Sequence, residues 1–244
     1  MNNPLKREQK QFAWLIDPER SKNQRLAEVL QRFPERHPDF FLIGGSLLLE
    51  EHLHDTLQTL RAHSEKPLIL FPGNLMQISP RADAILFLSL ISGRNPEFLI
   101  GQHIQAAPLV KEAGLTPIPT GYLLVDGGVT TAVHYLTQTL PLPRHKPELA
   151  AVTALAGEQL GQQAIYLEAG SGARYPVPSE MIRHVREQIR IPLLVGGGIR
   201  TTEAATRAWH SGADVVVVGS VLESKPELLP HFIQARDQAN KVGT

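Results

Sequence analysis

The chain has 244 residues, 42% hydrophobic and 20% charged, with 24 Lys plus Arg against 24 Asp plus Glu. This composition argues against a disordered chain, and zero net charge argues against a general nucleic-acid binder, which normally carries a basic surplus. With no cysteine there is no disulfide, thiolate metal site or cysteine nucleophile, which suits a reducing interior and makes the cytoplasm the expected location.

The longest apolar run, Ala84 to Ile91, contains Ser89 and falls far short of the roughly 18 residues that span a bilayer. The N-terminal MNNPLKREQKQFAWLID has basic residues, but its apolar stretch is too short for a signal-peptide core. Peripheral membrane contact stays open.

Short apolar runs recur at 12–17 (FAWLID), 40–46 (FFLIGGS), 67–73 (PLILFPG), 84–90 (AILFLSL), 115–125 (LTPIPTGYLLV), 164–170 (AIYLEAG), 192–198 (PLLVGGG) and 215–220 (VVVVGS). Continuous rather than alternating runs predict strands buried on both faces, as in a parallel sheet. Helical patterns lie between most of them. Leu26, Val29, Leu30 and Phe33 fall at helical spacing in 22–33. Asn95-Pro96-Glu97 reads as an N-cap, a first-turn proline and a carboxylate matched to the helix dipole. Ser179-Glu180 opens a stretch carrying Ile182, Val185 and Ile189.

Eight strands alternating with helices, without a composition break, predict an α/β fold: one (β/α)8 TIM barrel over 1–244. A doubly wound open sheet is the competing arrangement. Two spacings are irregular. The third and fourth strands start only 17 residues apart, at 67 and 84, so the third helix is truncated or missing. The fifth and sixth start 49 apart, at 115 and 164, leaving room for a turn at Asp126-Gly127-Gly128 and extra helix, divided by the loop PLPRHKP at 141–147.

Barrel chemistry sits where strands end and βα loops begin. The seventh strand ends in Gly196-Gly197-Gly198 and the eighth in Gly219-Ser220. Such loops hold phosphate through backbone N–H groups, since glycine lets the main chain approach an anion; alternatively they are tight turns. Gly170-Ser171-Gly172 after the sixth strand offers a third donor loop. Glu168, two residues earlier, could face the barrel mouth with a raised pKa and act as a general base, or pair with a buried arginine. Arg174 and Arg200 follow two of the glycine loops and read equally as anion partners or surface groups.

Asp17 closes the first strand and suits Mg2+, which takes one or two carboxylates plus water and substrate oxygens, or else a cap or salt bridge. Ser46 could join it or cap the next helix. His52, His54 and His63 lack the partners of a zinc motif and read as a solvated helix face. Asp214 precedes the eighth strand, on the face that serves stability, and fixes a turn there.

The blocks IDPER, IGGS, FPGN, LFLSLISGRNPEFLIGQHIQAAP, PTGYLLVDGG, PLPRHKPELAAVTALAGEQLG, YLEAGSGA, VGGGIR and VVVGS follow in this order along nearly the whole chain. Together they resemble the geranylgeranylglyceryl phosphate synthase family, in particular its second group, which includes bacterial members. The resemblance implies a Mg2+-dependent prenyltransferase joining sn-glycerol 1-phosphate to an allylic prenyl diphosphate such as geranylgeranyl diphosphate, in ether lipid synthesis. It places glycerol phosphate at Tyr166, Leu167, Glu168, Ala169, Gly170, Ser171, Gly172, Gly197, Gly198, Gly219 and Ser220; the mechanism expected from these residues has Glu168, read above as a candidate base, accept the hydroxyl proton. It places Mg2+ at Asp17 and Ser46, and implies a homo-oligomer, dimer or hexamer. Two positions depart from the family pattern: Ser220 stands where Asn is common, and Glu19-Arg20 where Asp-Lys is. The phosphate loops alone would also suit a sugar-phosphate isomerase or a flavin oxidoreductase; a non-catalytic prenyl-phosphate-binding module is a further alternative, against which Asp17 and Glu168 speak.

Overall fold

A computed structural model describes residues 4–46 and 52–242. The eight apolar runs become β1 (Gln11–Ile16), β2 (Phe40–Ile43), β3 (Leu68–Leu70), β4 (Ala84–Ser89), β5 (Thr116–Leu124), β6 (Ala164–Glu168), β7 (Leu193–Gly196) and β8 (Val215–Val218). Each pairs in parallel with the next, and β8 pairs with β1, closing the barrel. The open-sheet alternative is thereby excluded.

The runs are continuously apolar because both strand faces are buried. Ala13, Phe40, Leu42, Ile69, Leu86, Tyr122, Tyr166, Leu194 and Val217 fill the barrel interior. Their outward neighbours, such as Ile165, Leu167 and Val216, pack in a second cluster with the helices. Side chains alternate along a strand, so in β6 Tyr166 and Glu168 share the inward face, while Leu167 and Ala169 face the helices.

Helix α1 (Asn23–Arg32) buries Leu26, Val29 and Leu30, as its spacing requires. The three histidines lie on α2 (His52–His63), where His63 Nδ1 is 2.9 Å from the Thr59 carbonyl oxygen. Between β3 and β4 the chain makes only a 3-10 turn, Leu75–Gln77, so the short spacing does cost the third helix. Asn95 Oδ1 accepts from the Glu97 N–H at 3.0 Å, opening a π-helical turn over Glu97–Gly101 that continues into α3 (Gln102–Glu112). The long insertion holds α4 (Ala132–Thr137) and α5 (Pro147–Gln159), with the proline-rich loop between them. Helices α6 (Ser179–Gln188), α7 (Thr202–His210), α8 (Ser220–Ser224) and α9 (Leu229–Val242) complete the layer.

The opposite end of the barrel is tied by charge. Asp214 Oδ2 accepts from Arg186 Nη1 at 2.8 Å and from the Leu193 N–H at 2.8 Å, joining α6 to the starts of β7 and β8. This is the stabilising end, away from the strand termini that carry the candidate site.

Candidate active site

At the C-terminal mouth of the barrel a cavity of about 350 Å³ gathers residues from most βα loops. Asp17, Ser46, Glu168, Gly170, Ser171, Gly172, Gly197, Gly198, Gly219 and Ser220 all line it. Tyr166 lies beneath, buried in the barrel, and Leu167 and Ala169 turn outward and offer the cavity no side chain.

Glu168 is only 5% exposed. Its Oε1 accepts from the Gly170 N–H at 2.6 Å, and no arginine reaches it among the described residues. Burial raises its pKa above the usual carboxylate range, against the opposing pull of the Tyr166 phenol and the Gly170 N–H. Burial, reinforced by Glu168, also holds the Tyr122 and Tyr166 phenols well above the ordinary tyrosine value, so both stay protonated. The Tyr166 hydroxyl makes no hydrogen bond of good geometry with the described residues. It stacks edge-on against Phe71 and Tyr122, at centroid distances of 5.3 and 5.6 Å.

Gly197 shows why a glycine must follow β7. Its φ is +79°, and an added Cβ would lie 2.3 Å from Glu168 Oε1, 2.6 Å from Gly170 N and 2.7 Å from Ala169 N. No backbone hydrogen bond among the described residues takes up the N–H groups of Ser171, Gly172, Gly197 or Gly198, which leaves them as candidate anion donors. Arg200 is directed elsewhere, donating to the Ala173 carbonyl oxygen at 2.7 Å. Neither Arg174 nor Arg200 lines the cavity.

Asp17 Oδ1 accepts from the Glu19 N–H at 3.1 Å, and Oδ2 lies 3.4 Å from Arg20 Nε. Burial raises its pKa despite both contacts. Glu223, on α8, is raised in turn by burial and by the charge of Asp17. Gly45 packs close against the Asp17 carboxylate, since a Cβ there would lie 3.1 Å from both carboxylate oxygens, and Asp17, Gly45 and Ser46 line the cavity together. A divalent cation fits such a place, since it would relieve the Asp17–Glu223 repulsion and take its remaining ligands from Ser46, water and substrate oxygens. Among the described residues no three His, Asp or Glu side chains form a ready-made cage, so substrate oxygens would have to complete the shell.

A second cavity of about 300 Å³ adjoins the first and shares Gly45, Ser46, Phe71, Tyr122 and Val133 with it. Its remaining wall is mainly apolar, with Leu88, Leu90, Phe98 and Leu136 prominent. Sequence reading left this groove unassigned, and it also missed Tyr122, Thr131 and Glu223. The available signal for Tyr122 was strand parity, since Ile118, Tyr122 and Leu124 alternate toward the interior of β5.

The PcrB family model matches residues 5–236. The chain belongs to the PcrB family. Among family relatives, geranylgeranylglyceryl phosphate synthase of Spirosoma linguale is 52% identical, covering 91% of this chain and 90% of its own. The synthase of the same name from Thermococcus kodakarensis is 43% identical over 91% of this chain and 88% of its own. The crystal structure of (S)-3-O-geranylgeranylglyceryl phosphate synthase from Thermoplasma acidophilum, in complex with substrate sn-glycerol-1-phosphate, superposes with a TM-score of 0.87. It shares 32% identity, and the match covers 94% of each chain.

Proposed function

We propose that this protein is a prenyltransferase that joins sn-glycerol 1-phosphate to geranylgeranyl diphosphate through an ether bond, releasing diphosphate. The carrying observation is the pair of adjoining cavities: one ringed by glycine loops and carboxylates, the other apolar, meeting at Phe71 and Tyr122. The relatives named above and the glycerol-phosphate complex of the Thermoplasma synthase support the same reading.

Backbone N–H groups of Ser171, Gly172, Gly197 and Gly198, with the loop at Gly219–Ser220, hold the glycerol phosphate. The apolar groove takes the prenyl chain and keeps water from its C1 carbon. The C1–O bond of the donor breaks with its electron pair leaving on diphosphate, and the 3-hydroxyl oxygen of the acceptor forms the new C1–O bond. Glu168 accepts the hydroxyl proton, and its raised pKa makes it a stronger base than an exposed carboxylate. Holding both reactants in register removes much of the entropic barrier. Asp17 and Ser46 would hold a magnesium ion, which would supply countercharge for the diphosphate group.

Large exposed apolar side chains on α3, α4 and α5, among them Ile104, Tyr135 and Val152, support self-association as a dimer or hexamer, or peripheral membrane contact. The lack of cysteine supports a cytoplasmic setting. Glu168→Gln tests the base assignment. Turnover falls by about 100-fold or more while glycerol phosphate still binds; near-wild-type turnover by a folded variant removes Glu168 from the role.

A further inference from the structure

The cavity at the barrel mouth is built for anions yet is itself anionic. Its charged lining is Asp17, Glu19, Glu168 and Glu223 against a single cation among the described residues, Arg20. Two substrates carrying phosphate groups must enter this field, so the position of that one guanidinium matters.

Arg20 is placed by the turn that follows β1, where its N–H donates to the Asp17 carbonyl oxygen at 3.1 Å. Its side chain then faces two ways. Nε lies 3.4 Å from Asp17 Oδ2, the carboxylate placed to receive a cation. Nη1 lies 3.5 Å from Ser171 Oγ, in the loop assigned to the acceptor phosphate. The side chain is 57% exposed, and both contacts are long, so neither of these two partners fixes the guanidinium in place. Arg20 also favours the charged form of Glu223, so it offsets both carboxylates at this edge.

A divalent cation and a guanidinium compete for one carboxylate, since each repels the other there. We propose that Arg20 is an exchangeable counter-ion: it neutralises Asp17 in the empty site, and a cation arriving at Asp17 releases it toward Ser171, where it clamps the bound phosphate. The inference rests on the cavity taking a cation at Asp17 and a phosphate ester at the glycine loops. It makes Arg20 a substrate-binding residue whose free-state partner is the metal position.

The consequence is a pair of effects of opposite sign. Arg20→Gln removes a competitor for Asp17, so Mn2+ alone, followed by electron paramagnetic resonance of the free ion, binds about fivefold more tightly. The same variant loses charge-assisted hydrogen bonds to phosphate, so sn-glycerol 1-phosphate in saturating Mg2+ binds about tenfold more weakly by calorimetry. Arg20→Lys keeps the charge and stays closer to wild type than Arg20→Gln in both titrations. Unaltered melting confirms that the variants fold. If both affinities fall together, or if either is unchanged in Arg20→Gln, the exchange is refuted while the functional reading stands. If the wild-type protein binds neither Mn2+ nor glycerol phosphate, the functional reading fails, and this inference with it.

Discussion

Replacing Gly197 with Ala isolates the close packing that holds the glycine loops against Glu168. The φ of +79° alone costs an L-residue about 1–2 kcal/mol. The new Cβ would also meet Glu168 Oε1 at 2.3 Å and the backbone nitrogens of Gly170 and Ala169 at 2.6 and 2.7 Å. The backbone cannot swing aside as a side-chain end can, so overpacking adds about 1–3 kcal/mol. The total is about 2–5 kcal/mol, or a melting point lower by about 4–20 °C for a chain of this size.

Gly161→Ala is the matched control. Its φ is +92°, yet a Cβ there meets nothing within 4 Å, and it lies after α5, outside both cavities. It loses only the conformational term, about 1–2 kcal/mol, and binds ligand normally. Urea unfolding of both variants, with calorimetric titration of sn-glycerol 1-phosphate, separates the terms. Gly197→Ala unfolds at lower urea than Gly161→Ala and loses most of its ligand affinity. If the two variants unfold alike and both bind as wild type, the packing of the β7 loop against Glu168 is refuted.

Glu168 also sets a pH signature. Its folded pKa lies above the unfolded value near 4.5, so the native state holds the extra proton, and wild-type stability falls as pH rises through that interval. Glu168→Gln lacks this loss, so it is the more stable protein near neutrality, and the gap narrows as pH falls toward 4.5; urea melts across pH that show a constant gap refute it. Asp214→Ala strands the partly buried Arg186 and the Leu193 N–H, costing about 3 kcal/mol or more in urea unfolding. Its kcat and KM at low temperature stay near wild type, since Asp214 lies at the far end of the barrel; a kinetic defect in the folded variant contradicts that placement. Leu88→Trp fills the apolar groove, so turnover with the long prenyl donor drops while glycerol phosphate affinity holds; loss of both assigns Leu88 to the wrong cavity.

The eight strands were legible because a barrel buries both strand faces, leaving uninterrupted runs such as VVVV at 215–218. The missing third helix was legible for a simpler reason, since 17 residues cannot carry a strand, a helix and two loops. The glycine loops and Glu168 were readable by their place at strand ends. The block from Tyr166 to Gly172 is where sequence and geometry part. A contiguous motif names seven neighbours, but strand alternation turns Leu167 and Ala169 away from the cavity. Glu223 and Tyr122 depend on closure: one reaches Asp17 from α8, and the other joins two cavities only once β5 has its register.

The most direct test of the central claim is transfer of label from glycerol phosphate into a prenyl ether, with geranylgeranyl diphosphate as donor. Both glycerol phosphate enantiomers are compared, each with Mg2+ and with EDTA. The account predicts a lipid-extractable product from sn-glycerol 1-phosphate that EDTA abolishes, and little from the 3-phosphate. No product from the folded protein, with shorter and longer donors also supplied, contradicts it.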